Sequence, residues 1–253
     1  KSALIPFWAG VPVRTGWRGE MRYGLLNDVR KLDKERYPLM VQRFVALALD
    51  ADAPPPALAS IQPPRLRVDS DAVAAARADQ RLADDRPVLG LCPGAEFGPS
   101  KRWPEYHYAA VARHWIGQGG RVWLFGSAKD RPVAEQIIEA LPEAQRGEAA
   151  ILAGATSLEQ AVDLLSVTDA VVSNDSGLMH IAAALGRPLV AVYGSTSPGF
   201  TPPLGEAVAI ERLGLECSPC FQRECPLGHL NCLRQLEPDR VIQALARLPG
   251  VPR

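Results

Sequence analysis

The chain has 253 residues, 47% of them hydrophobic, and its 28 Lys and Arg residues balance 28 Asp and Glu residues. This length suits one large domain or two modest ones. Zero net charge argues against nucleic acid as the main partner, because that binding depends on a basic surface. No apolar run approaches the ~18 residues of a membrane span, and the first residues lack the pattern of a signal peptide. We therefore expect neither a membrane-spanning helix nor a signal peptide within this sequence.

Residues 1–68 hold little regular patterning and resemble the end of a domain that begins further upstream. One helix is predicted over residues 39–49, and five prolines between residues 54 and 68 indicate a linker or a surface crossing. Residues 11–43 carry eight Lys or Arg residues against four Asp or Glu residues. That excess is typical either of a solvated face or of a docking surface for an anionic acceptor or membrane headgroups.

From residue 69 onward, short apolar strands alternate with helices. Strands are predicted at residues 88–92, 121–125, 150–152, 170–172 and 189–193. Helices are predicted at residues 106–116, 133–141, 158–165 and 178–185, and a last one begins at Pro238. Continuous apolar strands that alternate with helices indicate a parallel sheet covered on both faces. The sequence therefore predicts a doubly wound α/β domain over residues 69–253.

The most informative segment is Ser-Asn-Asp-Ser-Gly-Leu-Met-His at residues 173–180, between a predicted strand and a predicted helix. Such a turn places backbone N–H groups and a helix N-terminus at the carboxyl edge of the sheet, where these folds hold anionic ligands. We expect a phosphorylated ligand next to Asp175, Ser176, Gly177 and His180. Asp175 equally suits a helix N-cap, and His180 suits a packed residue as well as a base.

The loop after the first strand of this domain contains Gly94, Ala95 and, just before a helix, Lys101. We predict that Lys101 reaches a diphosphate held by the loop amides. At ~4 Å and an effective dielectric constant near 20, the attraction is about 4 kcal/mol, against ~0.3–1 kcal/mol from a helix dipole. Lysine therefore makes the larger contribution. The alternative is an ordinary solvated lysine.

Small residues follow the next two strands at the same edge of the predicted sheet. Gly126 and Ser127 follow the second strand, and Thr156 follows the third. Loops of this kind suit a ribose and a base, or they are plain strand-to-helix turns in which Ser157 is the N-cap. The loop at residues 194–201 completes the rim.

Four of the five cysteines, Cys217, Cys220, Cys225 and Cys232, crowd one segment together with His229. This spacing leaves three alternatives: a tetrahedral zinc site, free thiols, or a disulfide. The odd count, with Cys92 in a buried strand, favours a reducing compartment.

Several motifs together resemble one family. Residues 93–95, 101–104 and 173–180 closely resemble the ADP-heptose:lipopolysaccharide heptosyltransferases of glycosyltransferase family 9. Residues 14–24, the loop at 194–198 and the cysteine-rich tail are most similar to the branch that adds the second heptose. The resemblance runs along essentially the whole chain.

The resemblance implies a GT-B fold. Residues 1–68 would be the remainder of an N-terminal, acceptor-side Rossmann-like domain with its linker, and residues 69–253 the sugar-nucleotide-binding domain. It also implies inverting transfer of L-glycero-D-manno-heptose from ADP-heptose to the first heptose of the lipopolysaccharide inner core, without metal or cofactor. The enzyme would act in the cytoplasm, with peripheral contact at the inner face of the inner membrane.

By the same resemblance, Lys101 and Asp175 are catalytic, Ser176 and Gly177 contact the diphosphate and heptose, and Thr156 begins the adenine loop. The family's favoured general base precedes the first residue of this chain, so no base is assigned and this polypeptide alone is expected to lack activity. A ribose-binding Glu of a related heptosyltransferase has no clear counterpart, because Lys129 and Asp130 occupy that region. Two alternatives are a sugar-nucleotide 2-epimerase and a non-catalytic nucleotide-binding module.

Overall fold

The computed structural model describes residues 2–83 and 85–252 and divides into two compact units. The first unit is the chain up to Gln62 together with Gly199–Pro202, and the second is Pro63–Pro198 with the chain from Pro203 onward. The assignment of residues 1–68 and 69–253 to two domains of a larger enzyme stays a prediction. Within the described ranges, no helix combines the length and apolar character needed to cross a membrane.

The first unit contains α1 (Leu4–Trp8), two paired parallel strands, β1 (Thr15–Trp17) and β2 (Asp28–Arg30), and α2 (Met40–Ala46). The predicted helix at residues 39–49 is present in this shorter form. The Arg30 guanidinium joins β2 to the end of α2, because it donates both to Asp28 (2.8 Å) and to the Ala46 carbonyl (2.8 Å). The hydrogen bond from Arg30 also lowers the pKa of Asp28.

The basic cluster of this unit is partly used for folding. The Arg14 guanidinium donates to the carbonyls of Leu25 (2.7 Å) and Val11 (2.6 Å). The Arg22 guanidinium donates to the Trp17 carbonyl (2.7 Å). These two arginines therefore hold their own loops together, and membrane contact stays a prediction.

The second unit carries a six-stranded, all-parallel sheet with helices on both faces, as predicted. Its elements in chain order are α3 (Ser70–Asp79), β3 (Val88–Cys92), α4 (Glu105–Gly117), β4 (Arg121–Leu124), α5 (Arg131–Glu139), α6 (Glu143–Arg146), β5 (Ala149–Ile151), α7 (Leu158–Leu165), β6 (Ala170–Asn174), α8 (Gly177–Ala184), β7 (Leu189–Val192), β8 (Val208–Glu211), α9 (Asn231–Arg234) and α10 (Pro238–Arg247). All five predicted strands are present within two residues of their expected ends. The sequence did not predict α3, α6, α9 or β8.

The central strands are buried at every residue because both faces of the sheet are covered. Alternate side chains point to opposite faces, so Leu89 and Leu91 of β3 pack with α4 and α10, while Val88 and Cys92 pack with α7 and α8. Each fully buried Leu contributes about 1.5–3 kcal/mol relative to its exposed state. Burial also raises the pKa of the Cys92 thiol to about 12.

The strand order is β5-β4-β3-β6-β7-β8, so the direction of winding reverses between β3 and β6. In open α/β sheets a crevice opens at such a switch point, outside the carboxyl ends of the strands. The loops that follow β3 and β6 carry the predicted phosphate-site residues. The fold therefore brings those two loops together at the place where such sheets bind ligands.

Candidate functional site

A lysine and a carboxylate meet at the switch point. Lys101 Nζ lies 2.6 Å from Asp175 Oδ2, and the hydroxyl of Thr196 donates to the same oxygen at 2.6 Å. The side chains of Lys101 and Asp175 are 15% and 5% exposed. The two residues predicted to be catalytic thus form one partly buried ion pair, and Thr196, which the sequence did not single out, completes it.

The loop that carries Lys101 is held in a tight turn. Pro99–Lys101 form one turn of 3-10 helix, in which the Lys101 N–H donates to the Gly98 carbonyl (3.2 Å). The Lys101 ammonium group lies 5.0 Å from the ring centroid of Phe97. This turn directs the lysine toward the end of β6 and away from bulk water.

The alternative in which Asp175 caps helix α8 is wrong. The N-cap residue is Ser176, whereas the Asp175 carboxylate points to Lys101 and Thr196. A Cβ atom added to Gly177, the first residue of α8, would meet no heavy atom within 4 Å. Space is therefore open at the first residue of α8, close in sequence to the ion pair, and a helix N-terminus favours an anion.

His180 lies one turn into α8, close enough to the ion pair to respond to both charges. Desolvation lowers the pKa of its ring, Asp175 opposes that effect, and Lys101 adds to it. The net lowering from the usual 6.5 keeps the ring neutral at physiological pH. His180 therefore adds no positive charge beside the ion pair.

The hydroxyl groups of Ser127 and Thr156, which were predicted to contact the ribose and the base, already have hydrogen-bond partners inside the protein. Ser127 donates through Oγ (2.7 Å) and its backbone N–H (2.9 Å) to Asp130 Oδ2. Thr156 Oγ1 donates to the Leu152 carbonyl (3.2 Å). Ser157 is the N-cap of α7, as the simpler alternative predicted, and accepts from the Gln160 N–H (3.1 Å). Ribose and adenine contacts from Ser127 and Thr156 stay predictions.

Asp130 explains the two glycines at the ends of β3 and β4. A Cβ atom on Gly94 would lie 2.5 Å from the Asp130 carboxyl carbon, and one on Gly126 would lie 2.8 Å from Asp130 Cβ. The Asp130 residue is only 7% exposed, and its other oxygen lies 3.7 Å from the Arg102 guanidinium. Glycines after two adjacent strands were the sequence signal for this close approach. Asp130 thus joins the loops after β3 and β4.

The cysteine-rich segment packs directly against the lysine loop. The Arg223 Nε–H donates to the Phe97 carbonyl (2.7 Å), and the Ser100 N–H donates back to the Arg223 carbonyl (3.2 Å). The Ser100 and Ser195 hydroxyl oxygens lie 3.0 Å apart. Nothing in the sequence indicated that this tail would support the phosphate-site loop.

All five cysteines are free thiols. Cys217, Cys220, Cys225 and Cys232 line one small cavity with His229. In residues 2–83 and 85–252, no three His, Cys, Asp or Glu side chains are arranged to hold a metal ion. The four thiols are unpaired in this structure, and the use of this segment stays a prediction.

The four thiols of this segment differ in their expected reactivity. Burial raises the pKa of Cys232 to about 11, whereas hydrogen bonds from backbone N–H groups, with that of Leu230 the largest effect, lower the pKa of Cys225. Because the thiolate is the reactive form, iodoacetamide at neutral pH should alkylate Cys225 well before Cys232. Peptide mass spectrometry over time measures both rates, and denatured protein, in which all thiols should react, is the control. Faster alkylation of Cys232 would contradict this assignment.

A doubly wound parallel sheet with a cation and a helix N-terminus at its switch point has the architecture of a nucleotide-binding α/β domain. Comparison with known proteins gives the family. Residues 1–231 match glycosyltransferase family 9 (heptosyltransferase), and the chain belongs to that family.

Similar relatives cover nearly all of this chain. The lipopolysaccharide heptosyltransferases 2 of Salmonella typhimurium and Escherichia coli are both 50% identical to it, across 98% of this chain and 72% of theirs. The solved structure of E. coli ADP-heptose LPS heptosyltransferase II superposes with a TM-score of 0.84 at 48% identity, over 97% of this chain and 72% of that one. These comparisons confirm the predicted glycosyltransferase fold. They support neither the epimerase nor the non-catalytic alternative.

Proposed function

We propose that this protein is an inverting glycosyltransferase that moves L-glycero-D-manno-heptose from ADP-heptose to the first heptose of the lipopolysaccharide inner core. The names of its 50% identical relatives support this substrate class. The observation that carries the proposal is the Lys101–Asp175 pair beside the open N-terminus of α8. A cation and a helix N-terminus on one crevice suit the diphosphate of an activated sugar.

The proposed reaction places negative charge where this site is positive. The acceptor hydroxyl attacks the anomeric carbon of the heptose, the bond from that carbon to the phosphate oxygen breaks, and ADP leaves with the electron pair. Lys101 and the amides of Ser176 and Gly177 stabilise the charge that develops on the diphosphate. Donors that are already oriented toward developing charge contribute most in the transition state. The hydroxyl proton goes to a general base that the present residues do not identify.

Asp175 and Thr196 prepare Lys101 for this role. The carboxylate accepts from both groups at 2.6 Å, so the ammonium group is held at the crevice before the donor arrives. An entering diphosphate presents several anionic oxygens to the same ammonium group. We infer that Asp175 then bonds to the donor heptose or continues to orient the lysine.

Incubation of the full-length protein with ADP-heptose and a heptose-bearing core acceptor tests the proposal. We expect stoichiometric ADP release and a product whose mass increases by one heptosyl unit. Omission of the acceptor is the control, because an epimerase would convert the donor without it. Nucleotide binding without turnover, under conditions where a homologous enzyme is active, would contradict the proposal.

The substitution Gly177→Ala tests the open helix N-terminus. A Cβ atom there meets no protein atom within 4 Å, so the fold should keep its melting temperature. If the donor diphosphate lies against this backbone, the methyl group should weaken ADP binding about tenfold, or ~1.4 kcal/mol. Isothermal titration calorimetry measures the affinity. Gly117→Ala is the matched control, because a Cβ atom at Gly117 also meets nothing within 4 Å. Unchanged ADP affinity in the Gly177→Ala variant would place the diphosphate elsewhere.

We also propose peripheral contact with the inner face of the inner membrane, because the proposed acceptor is joined to a lipid. The excess of Lys and Arg over residues 11–43 supports contact with anionic headgroups. Sedimentation with anionic vesicles, which should fall as the salt concentration rises, measures it.

A further inference from the structure

Asn174 is the last residue of β6, directly before Asp175, and it is 0% exposed. Its carboxamide makes three hydrogen bonds to other segments. Oδ1 accepts from the Trp103 backbone N–H (3.1 Å) and from the Tyr108 hydroxyl (3.0 Å). Nδ2 donates to the Pro93 carbonyl (2.6 Å).

These contacts lie at the two ends of one loop. Pro93 directly follows β3, Trp103 precedes α4, and Lys101 lies between them. One buried carboxamide therefore fixes both ends of the lysine loop to the end of β6. The next residue along the chain, Asp175, holds the lysine ammonium group itself at 2.6 Å.

We propose that Asn174 is a positioning residue for the transfer reaction, which acts by holding the Lys101 loop in register with Asp175. This inference rests on the proposed role of Lys101 at the donor phosphates. Asn174 touches neither reacting group; it sets the distance between Lys101 and the site where charge develops.

The chemistry of the carboxamide explains why asparagine stands here. Asparagine offers an acceptor and donors from one short side chain, aspartate loses the donors when ionised, and leucine has neither. Asn174→Leu would leave the Trp103 N–H and the Pro93 carbonyl without this partner in a buried environment, and buried polar groups move to regain partners. Because a displacement of about 1 Å can reduce a rate on the order of 10²-fold, we expect Asn174→Leu to lower kcat about 10–100-fold.

A double-mutant cycle in the full-length enzyme separates positioning from plain stability. If Asn174 acts through Lys101, Asn174→Leu should lower kcat by less than about twofold when Lys101 is already replaced with alanine. Burial disfavours the charged form of a carboxyl group, so the Asn174→Asp side chain should be protonated, with an acceptor for Trp103 and an O–H donor for Pro93. Its loss of kcat should therefore be smaller than that of Asn174→Leu.

The control is Gln42→Leu, in the other unit. The Gln42 carboxamide also accepts from a backbone N–H, that of Leu39 (3.1 Å), and donates to a proline carbonyl, that of Pro56 (2.9 Å). Its removal should leave kcat within about twofold of the unmodified enzyme, because it is not coupled to Lys101. Circular dichroism verifies that each variant is folded.

The outcomes are distinct. If the Asn174 substitution lowers kcat equally in the unmodified enzyme and in the Lys101→Ala enzyme, its role is purely structural and the inference is overturned. If both Asn174 variants keep the kcat of the unmodified enzyme, the inference is overturned as well. If the Asn174→Leu variant does not fold, the same double-mutant cycle with Asn174→Asp decides whether Asn174 acts through Lys101. If the Lys101→Ala enzyme keeps the kcat of the unmodified enzyme, the proposed function itself is contradicted.

Discussion

Replacement of Lys101 with alanine in the full-length enzyme is expected to lower kcat about 10²–10³-fold, which is typical for the loss of one oriented charge-stabilising group. The lysine side chain is 15% exposed and its ammonium group is held at 2.6 Å from Asp175, so it is oriented before the donor binds. Its attraction to a unit charge ~4 Å away is about 4 kcal/mol at an effective dielectric constant near 20. That attraction grows as negative charge accumulates on departing ADP, so the loss should appear mainly in kcat.

Steady-state kinetics with varied ADP-heptose measures this effect. Arg113→Ala is the control, since Arg113 is an exposed cation on helix α4. This control should keep both kcat and KM, because exposed surface charges contribute little. A change confined to KM in the Lys101→Ala variant would show that the lysine binds ground state and transition state equally well.

The sequence predicted the central strands well because strands that are buried on both faces have an apolar composition. Residues 88–92 are buried at every position, and a strand with helices on both faces must be apolar throughout. Strand β8 was missed because no helix separates it from β7, so it falls outside the alternation of strands and helices that identified the other strands. Helix α3 was missed for a different reason: only Val73 and Ala76 are buried along its ten residues.

The site was predictable where residues lie on the loops that follow strands. Lys101 and Asp175 follow β3 and β6, and parallel strands bring their carboxyl ends to one edge, so the pair could be expected to meet. The contact of Thr196 with Asp175 could not be predicted, because it depends on the path of the loop after β7. The same holds for the support that Arg223 provides to the lysine loop. No short-range pattern encodes contacts between distant irregular segments.

The N-cap alternative for Asp175 fails for a physical reason. Asp and Ser are both good N-cap residues, and they stand next to each other at residues 175 and 176. Composition cannot decide which of them caps the helix. In the structure the Lys101 ammonium group attracts the carboxylate, and Ser176 takes the cap position. A long-range ion pair therefore overrides the local preference.

Substitution of Asp175 with alanine is expected to abolish heptose transfer while ADP binding is largely kept. Asp175 Oδ2 receives both the Lys101 ammonium group and the Thr196 hydroxyl, so its loss releases the lysine from a fixed position. A released lysine still attracts the ADP phosphates in the ground state, but it is no longer oriented toward the developing charge. Oriented groups contribute to kcat far more than mobile ones.

Calorimetric titration with ADP and a transfer assay on the same Asp175→Ala preparation measure the two effects separately. Asp169→Asn is the matched control: Asp169 precedes β6 as Asp175 follows it, and its carboxylate accepts from the Val88 N–H (2.7 Å) at the opposite end of the sheet. Because asparagine retains that acceptor, both transfer and ADP binding should survive in the control. Parallel loss of ADP affinity and transfer in the Asp175→Ala variant would mean that the carboxylate serves only to build the crevice, since a group that acts on the reacting sugar affects turnover far more than nucleotide affinity.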